Sequence, residues 1–458
     1  MRIHPSDNVE VRADGHKYAI TAIKTGENVI KYGFPIGHAT KDIAVGDKVS
    51  PANLRSNLAG MGDWVYTPAQ TVEVGTKSGT FMGYVRKNGD VGVRNELFVV
   101  PTVGCINDVA KALAEKSGAK ALTHPYGCSQ LGGDLETTQK ILAGLIKHPN
   151  VGGVLVLGLG CENNVMVDQK RILGEYDKER VRFLTIQECE DEMAEGLAIL
   201  SELKELMASD VRTEVPLTKL RVAVKCGGSD GYSGITANPL VGRTMELFAA
   251  HGSTVLMSEM PEVFGAEQLL LSFSKDKAAF DSSAAMIRRF RQYFIDHGEG
   301  IADNPSPGNI AGGISTLEEK SLGCVQKAGK VPLCGALEFG EIPPADGGLY
   351  LVNGPGNDMV AVTNLTASGA HIILFTTGRG TPLSGVVPTM KIATNTALAT
   401  KKPHWIDYSA GSLMDGADMN ELAAGLFDLC LDVANGKETK SEERGYYDIA
   451  IFKDGVTL

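Results

Sequence analysis

Four cysteines stand where their thiol groups could bind a metal ion. Each follows a short apolar segment and lies beside glycine, and the four are Cys105, Cys128, Cys161 and Cys226. Parallel sheets present reactive side chains at such strand ends, so we expect the four thiols to converge if their strands are neighbours. A soft thiolate suits iron, zinc or an iron–sulfur cluster, although a cysteine commonly packs as a small apolar side chain. That second interpretation is our prediction for Cys189, Cys324, Cys334 and Cys430.

Two histidines are candidates for acid–base chemistry or for metal binding. His16 follows Gly15 in a predicted turn, and His124 lies just before Cys128 at another predicted strand end. Imidazole can take up or release a proton near neutral pH and is a common metal ligand. Either residue could also be an ordinary polar side chain, and the pattern alone leaves both interpretations open.

A glycine-rich segment at residues 226–239 has the composition of a ligand-binding loop. Its glycines allow backbone N–H groups to approach a ligand, and the helix predicted to begin near Pro239 would direct its positive end toward that ligand. A tight turn without a ligand is the alternative. The side chains suited to binding hydroxyl groups are Ser229, Asp230, Ser233 and Asn238.

Charged side chains follow two further predicted strands. Arg379 lies between Gly378 and Gly380, and a rigidly held guanidinium can bind a carboxylate through two hydrogen bonds. Glu259 and Glu262 place two carboxylates at another strand end, where they could act as metal ligands or as general acids. The alternative for Arg379 is a surface ion pair with one of the many acidic residues.

The pattern of apolar residues indicates three regions that would position these groups. Up to about residue 69 it predicts short strands separated by glycine turns, and residues 70–79 are predicted to form a polar linker. From about residue 81 strands alternate with helices, which is typical of a parallel sheet. A second boundary is predicted at residues 213–220, and a final strand at residues 449–452. The longest predicted helices cover residues 108–116, 134–147, 187–207, 239–251 and 278–297.

The composition is that of a soluble globular protein with more than one domain. The chain has 458 residues, of which 43% are hydrophobic and 22% charged, and this length exceeds one ordinary core. The net charge of -11 argues against a nucleic-acid partner, because nucleic-acid-binding surfaces are basic. The sequence shows no signal-like start and no apolar run of about 20 residues. We therefore predict a cytoplasmic protein without a membrane partner, whose cysteines are thiols or metal ligands.

Several long motifs, in order along nearly the whole chain, resemble the altronate/galactarate dehydratase family. Residues 128–132, 162–164 and 451–458 are most similar to the altronate branch of that family. The motifs that carry the resemblance cover residues 83–95, 102–105, 126–130, 148–150, 158–162, 226–239, 259–267, 304–313, 319–323 and 376–381.

The resemblance implies an α/β multidomain fold with a small N-terminal β-rich domain of the SAF type. We expect this domain at residues 1–75, a middle α/β domain at residues 76–215 and a C-terminal Rossmann-like α/β domain at residues 216–458. The resemblance also implies an iron- or manganese-dependent hydro-lyase of hexuronate catabolism that converts D-altronate to 2-dehydro-3-deoxy-D-gluconate. The substrate is then a small sugar acid, and we expect the enzyme to be a homo-oligomer.

Chemistry and motif together suggest a role for each candidate residue. We predict Fe²⁺ at the strand-end thiols, with Mn²⁺ or an iron–sulfur cluster as the alternatives. His124 and Cys226 are additional candidate ligands. His16 would act as base from the β-rich domain, with Lys17 beside it. The predicted metal ligands are Cys105, Cys128, Cys161 and Cys226, the predicted catalytic residues are His16, Lys17 and His124, and the predicted substrate-binding residues are Ser229, Asp230, Ser233, Asn238, Arg379 and Lys391.

Two other functions stay open on the sequence alone. One is a dehydratase or sulfo-lyase that acts on another hydroxy acid, such as galactarate or sulfolactate. The other is a protein that binds a sugar acid without converting it. The number of ionisable groups predicted at strand ends argues against the second function, because a binding protein rarely needs both a base and an acid.

Overall fold

The N-terminal region forms two small antiparallel sheets. A computed structural model describes residues 1–58, 62–301 and 304–458. The first sheet has the order β1-β2-β5 and the second the order β3-β4-β6. Short strands between glycine turns produce this architecture, as the sequence predicts. The strands are β1 (Val9–Val11), β2 (Lys17–Ala19), β3 (Asn28–Lys31), β4 (Phe34–Ala39), β5 (Lys48–Val49) and β6 (Leu54–Arg55).

The predicted polar linker is attached to the surface of the C-terminal region by backbone hydrogen bonds. Ala69 N donates to Ser272 O over 2.8 Å, and Gly75 N donates to Ala249 O over 2.9 Å. The segment therefore runs along the C-terminal region instead of spanning open solvent.

The middle region contains a parallel four-stranded sheet with the order β10-β9-β11-β12. A separate antiparallel sheet has the order β13-β7-β8. It pairs β7, the first strand of the middle region, with β13, its last strand. The middle elements are β7 (Thr80–Val85), β8 (Val91–Gly92), β9 (Glu96–Pro101), α1 (Asn107–Ser117), β10 (Lys120–Ala121), α2 (Gly132–Ile146), β11 (Val151–Gly158), α3 (Met166–Leu173), β12 (Val181–Thr185), α4 (Glu192–Met207) and β13 (Thr213–Pro216).

The C-terminal region contains a parallel seven-stranded sheet with the order β16-β17-β15-β14-β18-β19-β20. Its strands and helices are β14 (Arg221–Cys226), α5 (Ala237–Ala250), β15 (Thr254–Met257), α6 (Glu267–Ser272), α7 (Lys277–Asp296), α8 (Pro307–Ala311), α9 (Leu317–Cys324), β16 (Leu333–Leu337), β17 (Gly348–Val352), α10 (Asp358–Ala367), β18 (Ile372–Thr377), β19 (Thr389–Ala393), α11 (Thr396–Lys401), β20 (Tyr408–Ser409) and α12 (Met419–Ala434).

The order of this sheet reverses at β14. The chain leaves β14 toward β15 on one side, whereas β18, β19 and β20 lie on the other side. In open parallel sheets, ligands bind outside the carboxyl ends of the strands at such a reversal. The loops that follow β14 and β18 therefore lie where a ligand is expected.

The two parallel sheets meet through helices α2 and α10. A Cβ atom on Gly144 in α2 would lie 2.3 Å from Ala367 O at the end of α10, so this contact requires glycine. The segment after α12 adds to the same interface, because Ile449 and Ile451 are buried in the core that contains α2. The α/β multidomain fold with an N-terminal β-rich domain is confirmed.

The predicted strand at residues 449–452 is wrong. The segment has no strand partner, and Ala450 N donates to the side-chain oxygen Oγ1 of Thr363 over 3.0 Å. Ile449 and Ile451 fill a core instead of joining a sheet edge. None of the helices in the described ranges is both long and apolar enough to cross a membrane.

Candidate active site

Three of the four predicted metal-binding cysteines lie at the same edge of the middle sheet. Cys105 follows β9, Cys128 follows β10 and Cys161 follows β11, and all three are exposed free thiols. Cys226 instead ends β14 of the other parallel sheet and is buried. The expectation that all four thiols converge is therefore wrong for Cys226, because the strands belong to two separate sheets. We call the region around the other three the thiol edge.

Hydrogen bonds tie the three loops of the thiol edge together. Gly104 N donates to Tyr126 O over 2.8 Å, and Asn164 N donates to Gly127 O over 2.9 Å. Ser129 N also donates to Asn163 Oδ1 over 2.7 Å. The loops are thus fixed relative to one another.

Two buried polar atoms at the thiol edge lack a partner. Within residues 1–58, 62–301 and 304–458, neither Gln130 Nε2 nor Asn164 Oδ1 has a hydrogen-bond partner, and both residues are buried. Leaving a buried polar atom without a hydrogen-bond partner costs free energy. The thiol edge therefore has two polar atoms that can still form hydrogen bonds. Gln130 Nε2 could donate a hydrogen bond to a group bound through sulfur, and Asn164 Oδ1 could accept one.

A second cluster of potential metal ligands surrounds Cys226. Among the residues that the structure describes, one group of at least three such ligands has its ligand atoms within 4.8 Å of one another, and it contains Cys226, Glu259, Glu262 and Cys324. The Nζ atom of Lys327 lies in this group, 2.8 Å from Cys226 Sγ, 2.9 Å from Cys324 Sγ and 2.8 Å from Glu259 Oε2. An ammonium ion thus occupies the position that a metal would need, and the group as it stands does not fit a metal ion.

A cleft of about 480 Å³ opens at the reversal point of the seven-stranded sheet. The loops after β14, β15, β17 and β18 form it together with the segment that leads from α7 to α9. We call it the C-terminal cleft. It is lined by Gly227, Gly228, Ser229, Glu262, Asn304, Ser306, Gly308, Asn309, Lys320, Gly356, Asn357, Asp358 and Arg379.

The cleft carries charged groups of both signs. The Arg379 side chain is exposed, and its Nη1 donates one hydrogen bond to Gly308 O over 3.2 Å. Burial alone would raise the pKa of Glu262, but the ammonium groups of Lys320, Lys225 and Lys327 lower that pKa to about 2. Glu262 is therefore ionised at neutral pH.

His16 is not among the residues that line the C-terminal cleft, but it packs on the loops that continue from the cleft residues Ser229 and Asn309. Its turn packs on the loops at Gly231 and Gly313: a Cβ on Gly231 would lie 1.9 Å from Gly15 O, and one on Gly313 would lie 3.3 Å from His16 Nδ1. Tyr232 also donates its hydroxyl proton to Ala13 O over 2.5 Å. The His16 ring is half-buried. Burial, followed by the charge of Lys48, lowers its pKa below the ordinary value of 6.5, so the imidazole is neutral at pH 7 and able to accept a proton.

Lys17 does not reach the cleft. Its buried Nζ donates to Gly313 O over 2.9 Å, to Ser315 Oγ over 2.6 Å and to Glu319 Oε2 over 2.8 Å. These contacts use all three N–H donors, although burial lowers the pKa of Lys17 to about 8. The structure therefore contradicts a direct catalytic role: Lys17 fixes the strand that follows His16.

His124 is also occupied by structural contacts. Its Nδ1 accepts a hydrogen bond from Tyr126 N over 3.2 Å, and its Nε2 then donates to Pro101 O over 2.9 Å. Burial lowers its pKa to about 4. His124 thus braces the loop that leads to Cys128, and its ring offers no free nitrogen for catalysis or for a metal.

Only two of the six predicted substrate-binding residues, Ser229 and Arg379, line the cleft. The other four are buried and hydrogen-bonded to other protein groups, so the structure does not bring them to the lining of the cleft. Asp230 accepts hydrogen bonds from Ser233 Oγ and Thr394 Oγ1, Asn238 contacts Gly323 O and Thr376 Oγ1, and Lys391 Nζ donates to Ser441 Oγ.

The sequence interpretation missed several charged and polar residues of the cleft. Lys320 and Glu262 form a 2.9 Å ion pair there, and Asp358 also lines the cleft. The motifs at residues 304–313 and 319–323 contain four of the missed positions, whereas Asn357 and Asp358 lie in none of the motifs that carry the resemblance. The missed lining side chains are Asn304, Ser306, Asn309, Lys320, Asn357 and Asp358.

Comparisons with known proteins show close relatives. The chain is 46% identical to an altronate dehydratase of Bacillus subtilis (strain 168), over 98% of this chain and 94% of the relative. It is 47% identical to an altronate dehydratase of Escherichia coli (strain K12), over 97% and 92%. It is 31% identical to the (2R)-sulfolactate sulfo-lyase subunit beta of Chromohalobacter salexigens, over 82% of this chain and 97% of the relative.

Three family models match successive parts of the chain. The altronate/galactarate dehydratase SAF domain matches residues 1–57, and the second domain of D-galactarate dehydratase/altronate hydrolase matches residues 83–208. The C-terminal domain of D-galactarate/altronate dehydratase matches residues 217–457. An N-terminal SAF domain, a cleft at the reversal point of a parallel sheet and this similarity over nearly the full length agree: the chain belongs to the D-galactarate/altronate dehydratase family.

Proposed function

We propose that this enzyme dehydrates D-altronate to 2-dehydro-3-deoxy-D-gluconate and binds it in the C-terminal cleft. The observation that carries the proposal is the exposed Arg379 guanidinium at the reversal point of the sheet, beside polar groups that suit hydroxyls. A guanidinium binds a carboxylate through a pair of hydrogen bonds. Ser229, Ser306 and Asn309 can bind the hydroxyl groups of the sugar acid.

The reaction needs a base at carbon 2 and a stabilised leaving group at carbon 3. We assign the base to His16, because it is neutral at pH 7 and packs on loops that continue from the cleft. The proton at carbon 2 is weakly acidic, and hydroxide is a poor leaving group. A positioned base contributes about 10²- to 10⁴-fold to such a proton transfer.

We further propose that the thiol edge holds iron, either as an ion or in an iron–sulfur cluster. Three free exposed thiols on neighbouring strands and two unpartnered buried polar atoms support this assignment. Cys105, Cys128 and Cys161 would be the ligands. When bound there, iron would supply Lewis-acid chemistry. Mn²⁺ is the alternative metal.

The first experiment measures iron and acid-labile sulfide in protein purified without oxygen. We expect iron to be present and to be lost when Cys161 is replaced by serine, whereas the matched change Cys334→Ser leaves it bound. Sulfide close to the iron content indicates a cluster, and iron without sulfide indicates a single ion. Iron that survives in the Cys105→Ser, Cys128→Ser and Cys161→Ser variants would exclude the thiol edge.

Replacing Arg379 by methionine should weaken substrate binding. Losing a hydrogen bond to a charged group costs about 1.5–3 kcal/mol, which corresponds to a rise in KM of about 10- to 100-fold. Steady-state kinetics with altronate measure this change. The exposed Arg171, which pairs with Asp168 on α3, provides the control Arg171→Met, which should keep the wild-type KM. An unchanged KM in the Arg379 variant would contradict the assignment.

A substrate panel separates the proposed reaction from its alternatives. We expect a 2-keto acid from altronate at a higher kcat/KM than from galactarate, and no sulfite from sulfolactate. Sulfite release would favour a sulfo-lyase, and ligand binding without product would favour a binding protein. We also propose a cytoplasmic homo-oligomer on the basis of composition and size, and light scattering of the purified protein tests the oligomer.

A further inference from the structure

Lys320 on α9 presents a cation to the C-terminal cleft. Its side chain is 9% exposed and lines the cleft. Its Nζ donates to Glu262 Oε1 over 2.9 Å and to Asn304 Oδ1 over 3.1 Å. An ammonium group has three N–H donors. Within the described ranges the third donor has no protein partner, so it is available to a ligand in the cleft.

A buried chain of polar contacts runs beneath the cleft from Lys320 to Asp358. Glu262, which pairs with Lys320, accepts a contact from Cys226 Sγ at 3.4 Å, and Cys226 Sγ accepts from Lys327 Nζ at 2.8 Å. Lys327 and Lys225 both bind Glu259, and Lys225 Nζ lies 2.8 Å from Asp358 Oδ1. The chain of contacts therefore links Lys320 to Asp358, and both residues line the cleft.

The same contacts keep Lys320 charged. Burial alone would lower its pKa, but the Glu262 carboxylate outweighs burial and raises the pKa above its ordinary value of 10.5. A strongly held ammonium is suited to stabilise negative charge rather than to give up its proton. The titratable and charged groups around it are Glu262, Cys226, Glu259, Lys225, Lys327, Asp358 and Arg379.

We infer that Lys320 is a catalytic residue that stabilises the negative charge formed on the substrate carboxylate during proton removal, and that Glu262 is its positioning residue. The inference rests on the proposed dehydration. The base takes the proton from carbon 2, and the C–H electron pair moves onto the carboxylate. That pair then forms the double bond between carbons 2 and 3 as the bond from carbon 3 to oxygen breaks. The departing hydroxide takes the proton back from the base and leaves as water, and the enol ketonises.

The test replaces Lys320 by methionine and by arginine. One preorganised donor to a developing negative charge is worth about 10²- to 10³-fold in kcat. We therefore expect Lys320→Met to lower kcat by that factor, with a smaller change in KM, and Lys320→Arg to recover part of the rate. Lys140, an exposed lysine that pairs with Glu136 on α2, provides the control Lys140→Met, which should keep the wild-type kcat.

The positioning role of Glu262 is tested by the pH profile of kcat in Glu262→Gln. Burial lowers the pKa of Lys320, and the Glu262 carboxylate offsets that effect. Without the carboxylate the pKa of Lys320 therefore falls. Lys320 acts in its protonated form, so the alkaline decline of kcat should begin at a lower pH than in the wild type. A purely structural role would lower kcat at every pH without moving the profile, and Glu136→Gln is the control.

The proposed dehydration and the role of Lys320 are distinguished by different outcomes. A folded wild-type enzyme that forms no keto acid from altronate would overturn the proposed function. Wild-type turnover together with an unchanged kcat in Lys320→Met would overturn the role of Lys320 alone. If circular dichroism shows that the methionine variant is unfolded, Lys320→Arg and Glu262→Gln decide the question, and an unmoved pH profile in folded Glu262→Gln counts against the inference.

Discussion

Replacing His16 by alanine is expected to abolish measurable turnover while the protein stays folded. His16 packs on loops that continue from the C-terminal cleft, and it is half-buried and neutral at pH 7. Removing a general base costs about 10²- to 10⁴-fold in kcat. Steady-state kinetics measure the loss, and thermal unfolding checks the fold. His4, an exposed histidine of the same domain, provides the control His4→Ala, which should keep the wild-type rate.

The pH dependence of the wild type gives a second measure of the same residue. Burial, followed by Lys48, places the pKa of His16 below 6.5. The base is active when it is neutral, so kcat/KM should hold through pH 6.5 and fall only as the pH drops through the lowered pKa. Near wild-type activity in His16→Ala, or an acid limb that persists there unchanged, would remove His16 from the mechanism.

Replacing Glu319 by alanine should strongly destabilise the attachment of the N-terminal domain. Glu319 on α9 binds Lys17 and Lys31, each over 2.8 Å, and its own side chain is only 1% exposed. Its loss leaves two buried ammonium groups without their counter-ion, which costs about 3–5 kcal/mol. Urea unfolding measures this free energy. The exposed Glu443, which pairs with Lys440, provides the control Glu443→Ala, for which we expect no more than about 0.5 kcal/mol.

The same carboxylate predicts how the attachment responds to acid. Burial would raise the pKa of Glu319, but Lys17 and Lys31 lower it to about 2 from an ordinary 4.5. Its contribution, about 3 kcal/mol, is present above pH 4.5 and is lost as the pH falls toward 2. Burial also lowers the pKa of Lys17 to about 8, whereas in Lys31 the charge of Glu319 outweighs burial and raises the pKa. Acid sensitivity equal to that of the wild type in Glu319→Ala would contradict this account.

Much of the fold could be predicted from local patterns. The helix predicted at residues 108–116 is α1 (Asn107–Ser117), and the helix predicted at residues 278–297 is α7 (Lys277–Asp296). Apolar periodicity and glycine breaks act over a few residues, so the sequence displays them directly. Residues 449–452 show the limit of such patterns, because a short apolar segment can be buried in a core without forming a strand.

The site could be predicted only where a single loop contains the residue with the relevant chemistry. Arg379 and the three thiols of the thiol edge were identified from the strand ends that bear them. Lys320 pairs with a glutamate 58 positions away, and Cys324, expected merely to pack, contacts Lys327 next to Cys226. Such networks depend on how distant elements assemble, and no local spacing reports them. Cys226 was misplaced for the same reason, because strand-end motifs do not show which sheet a strand joins.

The contacts of Glu319 with Lys17 and Lys31 bear on whether the N-terminal domain must be part of the same polypeptide as the rest of the enzyme. These three buried charges, together with the contact between Gly15 and Gly231, attach the first 58 residues to the rest of the protein. The contacts are non-covalent and join two complementary surfaces. Two separately translated polypeptides could therefore assemble the same site, and co-expressed fragments of this chain should purify together. The relative named as a subunit beta, which matches 82% of this chain, belongs to an enzyme that is divided into subunits.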